Sequence, residues 1–147
     1  METLLGAIIK DKHQALYTVA PDAPIREAVD IMTDGNVGCI MVMDHGHLEG
    51  LFTERDLLKR VVHKGLDVAT TPIRDVMTSE IATVSPKMTV GEAMSLCTQR
   101  RVRHLPVYET DGTLLGIISA GDLTKWAISE QEHTIDDLTR YIYGERA

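Results

Sequence analysis

Two stretches carry side chains that could do chemistry. Gly50-Leu51-Phe52-Thr53-Glu54-Arg55-Asp56 returns as Gly116-Ile117-Ile118-Ser119-Ala120-Gly121-Asp122. Each reads glycine, two apolar residues, a hydroxyl residue, two variable residues and an aspartate. An apolar run that gives way to Thr or Ser, with an acid three places on, marks a strand entering a helix. The hydroxyl can cap the first turn, and the acid sits where the helix dipole favours negative charge. A single copy describes no more than a well-capped helix. The same groups have a second use: a carboxylate accepts from hydroxyls, a Ser or Thr can bond a phosphate oxygen, and the free N–H groups of a helix start favour an anion.

Other chemistries find less support. Gly116-x-x-Ser119-x-Gly121 is one residue too long for a nucleophile elbow, and no Walker or dinucleotide fingerprint occurs. No nucleophile and base are paired in sequence context, so no catalytic residue is assigned and the chain is not read as an enzyme. His45 and His47 read as a solvated hairpin turn, and no metal site is assigned. Cys39 and Cys97 sit in apolar settings as core fillers; a disulfide scaffold is not expected, and a reducing cytoplasm is the default compartment.

The elements that must position the two acids are legible. At 147 residues the chain suits one domain or two small halves, and 44% hydrophobic content is enough for a core built from Val, Ile, Leu and Met rather than aromatics. A net charge of −7 argues against nucleic acid or an anionic membrane as partner. No apolar run approaches the roughly 20 residues of a membrane span, and Glu2 stands where a secretory signal would be positive. Residues 3–10 predict a short helix capped by Thr3, with Leu4, Leu5, Ile8 and Ile9 on one face. Residues 16–19 predict a strand stopped by Pro21. Ile25, Ala28, Val29 and Met32 predict a helix ended by Gly35 and Asn36. Residues 39–43 and 48–52 predict a hairpin turning at residues 44–47. Thr53 opens a helix through Val62, ended by Gly65.

The series then repeats. Residues 82–84 predict the short strand before Pro86; Val90, Ala93, Met94 and Cys97 line a helix; residues 104–108 and 114–118 form a hairpin turning at Asp111 and Gly112; and Ser119 opens the closing helix. Val19 matches Val84, Glu27 matches Glu92 and Val42 matches Val107 at a spacing of 65 residues. After one extra residue in the second turn the spacing is 66, which pairs Gly50 with Gly116 and Asp56 with Asp122. A period this long, used twice, is an internal duplication rather than a solenoid. Residues 71–78 form an anchored connector. Thr134 and Asp137 predict the start of a separate amphipathic helix bearing Ile135, Leu138, Tyr141 and Ile142.

With these features the sequence resembles a tandem pair of CBS domains, named for cystathionine β-synthase, in a free-standing bacterial protein. The resemblance rests on the duplicated Gly-x-x-[Ser/Thr]-x-x-Asp element, the His104-Leu105-Pro106-Val107 strand and the connector ending Val76-Met77-Thr78. It covers residues 16–131 and implies an α+β fold: two βαββα repeats packed about a pseudo-twofold axis, a Bateman-type module with extra terminal helices. The boundaries expected are 1–64 for the N-terminal helix and first repeat, 65–81 for the connector, 82–131 for the second repeat and 132–147 for the C-terminal helix.

The resemblance further implies an adenosine ligand (AMP, ADP, ATP, NAD or S-adenosylmethionine) held in clefts between the repeats. Asp56 with Thr53, and Asp122 with Ser119, would then take the ribose hydroxyls, each downstream of Gly50 or Gly116. Backbone groups of Thr18, Val19 and Ala20 would meet the base in the Asp122 cleft, and those of Thr83, Val84 and Ser85 in the Asp56 cleft. Arg103 and His104, on the strand carrying Pro106, would reach phosphate beside Asp122. Gly38 and Cys39 occupy the corresponding place beside Asp56, and Arg55 reads either as a further phosphate cation or as a surface residue. So few cations in an acidic chain favour AMP or NAD(H) over ATP. The protein is expected to be a nucleotide-sensing homodimer that presents a changed surface to an unidentified protein partner. The alternative is a dimerisation module with vestigial clefts.

Overall fold

The computed structural model describes residues 3–12 and 16–143. They divide into two compact units, residues 14–81 and residues 1–13 with 82–147.

In the first of these units β1 (Thr18–Val19) lies parallel to β2 (Cys39–Asp44), and β2 pairs antiparallel with β3 (His47–Thr53). The β2–β3 turn runs through His45 and Gly46 at φ 49° and 82°. Both residues are left-handed, as a tight two-residue hairpin turn requires. Helix α2 (Ile25–Gly35) ends on Asn36 in the left-handed conformation, a role Asn shares with Gly because its short side chain tolerates positive φ. Ile25, Ala28 and Met32 of α2 pack with Ile40, Val42, Phe52 and Val61, and the connector adds Ile73 and Val76 to this core. The closing helix departs from expectation. One α-helical turn, α3 (Glu54–Asp56), passes into a π-helix over Leu57–Val62.

The other unit repeats the plan from helix to hairpin, with one extra residue in the hairpin turn. Helix α4 (Val90–Arg100) has the 11-residue length of α2 and ends on a left-handed Arg101 at φ 54°. β4 (His104–Tyr108) pairs with β5 (Leu114–Ser119), and Val107 faces Gly116 as Val42 faces Gly50. Each hairpin slips register at the same place, after Val42 and after Val107. Where β1 forms a strand, the second copy keeps a single parallel bridge, Val84 to Val107. In the first copy Met41 N–H donates to Tyr17 O at 3.1 Å. The matching residue is Pro106, which has no N–H to give.

Helix α5 (Ala120–Tyr143) runs 24 residues without a break. The expected separate helix at Thr134 is therefore a continuation, and the Thr134 hydroxyl donates to Glu130 O at 3.0 Å instead of capping. Thr3 does not cap α1 (Leu5–Asp11) either: Leu4 holds the cap position, and the Thr3 hydroxyl meets the Glu130 carboxylate.

Each repeat is joined in its unit by the segment that precedes the other repeat. Ile73 N–H donates to Ala23 O at 2.8 Å, Arg74 N–H to Pro21 O at 3.0 Å, and Ile25 N–H to Thr71 O at 3.0 Å. In the other unit Leu5 N–H donates to Met88 O, Gly6 N–H to Pro86 O and Val90 N–H to Thr3 O, all at 2.9 Å. Thus α1, which precedes the first repeat in sequence, buries Leu5 and Ile8 against Val90, Ala93 and Ile118 of the second.

Candidate functional site

The two duplicated acids are first of all caps. Asp56 N–H donates to Thr53 Oγ1 at 3.2 Å, and Thr53 N–H donates back to Asp56 Oδ2 at 3.0 Å. Asp122 N–H donates to Ser119 Oγ at 3.1 Å, and Ser119 N–H to Asp122 Oδ2 at 2.8 Å. These reciprocal bonds satisfy two helix-start donors each and fix one carboxylate oxygen in both copies. The carbonyl before each strand adds a brace: Gly38 O accepts from Glu54 N–H at 3.1 Å, and Arg103 O from Ala120 N–H at 2.8 Å.

What else reaches the carboxylates differs. The Thr78 hydroxyl lies 3.0 and 3.2 Å from Oδ1 and Oδ2 of Asp56, and Arg60 Nε lies 3.6 Å from Oδ1. Asp56 is 5% exposed. Lys12 Nζ bonds Asp122 Oδ2 at 2.6 Å and Ile117 O at 2.9 Å, while the Asp122 side chain is 26% exposed. Burial pushes the Asp122 carboxyl up. Hydrogen bonds from Lys12 and from Ser119 N–H, with the ammonium charge, more than offset it and hold the acid below its ordinary value.

Sequence reasoning did not assign these three donors to the site. Arg60 was readable, because a cation four residues after an acid lies on its helix face. Thr78 stood in the quoted connector motif without a role. Lys12 is 110 residues from Asp122 and gives no local signal.

The remaining predicted residues are spread over both units. In the register of the hairpins Cys39 is opposite Thr53, and His104 is opposite Ser119. Arg103 is exposed and lines an open groove of about 820 Å³ with Gly121, Thr124 and Lys125 of α5. Gly38 lines a smaller one of about 280 Å³, where Glu54 faces it in place of a cation. Arg55 is exposed on α3. Thr18, Ala20 and Thr83 are exposed and Ser85 half-buried, while Val19 and Val84 point into their cores. Pro106 and Gly116 are buried. Gly50 has a packing role: a Cβ there would meet Met77 Sδ at 2.6 Å and Thr78 O at 2.9 Å. Among the described residues no group of His, Cys, Asp and Glu is disposed to hold a metal ion. No helix there is long and apolar enough to cross a membrane.

Comparison with known proteins agrees with the duplication. The CBS domain model matches twice, over residues 9–63 and 73–129. A CBS domain-containing protein of Arabidopsis thaliana, CBSX3, is 36% identical over 97% of this chain and 73% of its own. The solved CBS-domain-containing protein of Agrobacterium tumefaciens is 34% identical, with a TM-score of 0.79 over 85% of this chain and 99% of its own. The CBS domain protein PAE2072 of Pyrobaculum aerophilum, solved in complex with AMP, shares the fold at 23% identity and a TM-score of 0.70, over 81% of this chain and 88% of its own.

Proposed function

This chain belongs to the CBS-domain family, carrying two CBS domains in tandem, and from that premise we propose that it is a sensor whose Asp122 junction takes the ribose of an adenine nucleotide, AMP or NAD(H) in preference to ATP. Tandem CBS pairs are regulatory modules, and the reading gives this one its ligand class. The observation that carries it is the Asp122 carboxylate. It is held below its ordinary pKa, oriented by the Ser119 N–H, and 26% exposed, on the same first helical turn as Gly121, which lines a groove with Arg103 and Lys125. A carboxylate in that state can accept from a sugar diol, and the cations suit one phosphate or a shared diphosphate better than a triphosphate. The AMP complex of the Pyrobaculum protein supports the ligand class. Residues 18–20 and 83–85 are the candidate base-contacting edges.

The Asp56 junction is less exposed than that of Asp122. Its carboxylate is covered and already bonded by Thr78. That observation favours a second reading for this half alone, a structural cap with no ligand.

The exposed stripe Ile128, Ile135, Leu138 and Ile142 on α5 supports a homodimer that covers it, and ligand-dependent changes would be passed to a protein partner. Cys39 and Cys97 are buried and not joined in a disulfide, which suits a reducing cytoplasm.

Calorimetry with AMP, NAD, NADH, S-adenosylmethionine and metal-free ATP tests the ligand. AMP or NAD(H) should bind tightest. Tighter metal-free ATP would defeat the charge argument, and no binding by any of them would leave only the dimerisation role. Light scattering at micromolar concentration should return twice the 16.3 kDa chain mass.

A further inference from the structure

We infer that Lys12 is a positioning residue of the Asp122 site, a built-in competitor for Oδ2 that a ribose diol must displace, so that nucleotide binding loosens the N-terminal helix. This rests on the ligand reading above. Asp122 Oδ2 already receives two donors, Ser119 N–H at 2.8 Å and Lys12 Nζ at 2.6 Å. A diol that grips a carboxylate through both oxygens needs a place on Oδ2. The Ser119 bond belongs to the helix cap; the Lys12 bond comes from the end of a separate segment and is the one that can yield.

The duplication gives this contact its meaning. Segments 3–12 and 71–78 dock on their units through matching backbone bonds and matching bridges, Leu4 to Thr89 and Pro72 to Pro24. Each then ends by placing one donor on the duplicated acid, Lys12 on Asp122 and Thr78 on Asp56. A donor delivered to the same atom group by both straps is a feature of the plan rather than an accident of one lysine side chain. The Lys12 strap has the weaker seat: among the described residues the Lys12 backbone bonds within its own helix, its N–H donating to Ile8 O at 2.9 Å, whereas the backbone of Thr78 makes two bonds across to Leu51, at 2.8 and 2.9 Å. Linkage then requires reciprocity. If releasing Lys12 favours the diol, the diol must favour release of α1 by the same factor.

The test is calorimetry of AMP and of 3′-deoxyadenosine 5′-monophosphate on wild type, Lys12→Met and Lys12→Arg. Methionine keeps the apolar stem and removes the donor. Lys12→Met should bind AMP about two- to five-fold tighter, the scale of a partly exposed ion pair. Its affinity for the deoxy analogue should be unchanged, and Lys12→Arg should behave as wild type. In wild type, AMP should speed amide exchange over residues 5–11. Equal or weaker AMP binding by Lys12→Met, or an equal gain for both nucleotides, overturns the competitor role. If wild type binds AMP and the variants match it, the Lys12 inference falls alone. If wild type binds neither nucleotide, the ligand reading falls first and takes this one with it.

Discussion

From Gly50 to Asp56 and from Gly116 to Asp122 the chain follows one course: strand, hydroxyl cap, acid returning a bond to the cap. Beyond the acids the courses part. The first enters a π-helix through Val62 and stops near Gly65 at φ 69°, while the second continues as α-helix to Tyr143. The donors part as well. A hydroxyl and a guanidinium close over Asp56, and one ammonium rests on a half-open Asp122. The cap holds a carboxylate in place cheaply, and it leaves open what the carboxylate is for. What arrives from outside the motif differs, and here it covers the Asp56 carboxylate and leaves that of Asp122 26% exposed.

The widest gap should appear between two alanine variants. Asp122→Ala should weaken AMP binding by about 1.5–3 kcal/mol, the worth of hydrogen bonds to a charged group, or roughly ten- to hundredfold. Asp56→Ala should leave AMP binding nearer to wild type and instead lower stability, because it strands the Thr53 N–H and the Thr78 hydroxyl. Calorimetry and urea unfolding on both variants read the two effects. Equal losses of binding would mean that the two copies are functionally equivalent.

A second variant tests whether the first copy is closed by its connector. Gly50→Ala places a methyl against Met77 and the Thr78 carbonyl. Overpacking of this kind costs about 1–3 kcal/mol. Unfolding should show that loss, with the Thr78 bond to Asp56 disrupted. A neutral Gly50→Ala would show that the connector yields easily and that Asp56 is less firmly covered than its 5% exposure indicates.

Why some of this was legible in the sequence and some not follows from range. The α2 and α4 helices declared themselves through Ile25, Ala28 and Met32 and through Val90, Ala93 and Cys97, because a helix face is a local pattern. The π-helix did not, since Leu57, Leu58, Val61 and Val62 suit either winding over six residues. Thr134 and Asp137 looked like a start, yet nothing in residues 129–133 breaks the helix already running, so a continuous backbone ladder prevailed over a local cap. At the site, the caps were readable and the competing donors were not. Lys12 meets Asp122 only through the docking of α1, which no short window contains.

The acid limb of stability should sharpen the account of Asp122. Its carboxyl lies below the ordinary value once folded, so the sign is that of a depressed acid. The contribution is whole above the unfolded value, near pH ~3.9. It declines as the pH falls from there and is gone below the lowered folded value. Lys12→Met removes an opposing charge and should raise the folded value toward the unfolded one. Carboxyl-carbon NMR titration of Asp122 in wild type and Lys12→Met should show that upward movement. An unmoved titration would mean that Ser119 N–H alone holds the acid down.

The smallest expected effect concerns Arg60, and it bears on whether the π-helix matters to the first copy. Arg60 bonds Met77 O at 2.8 Å and stands 3.6 Å from Asp56 Oδ1, with its side chain half exposed. Water screens such a pair, so the Asp56 contact is worth about 0.2–1 kcal/mol at most. The bond to Met77 O ties the connector to the same helix and survives high salt better than the ion pair does. Arg60→Met should therefore cost only about 1 kcal/mol in urea unfolding, with most of that loss still present at high salt. A loss abolished by salt would assign Arg60 to the ion pair, and a loss several times larger would make the π-helix, rather than the Thr78 hydroxyl, the main closure over Asp56.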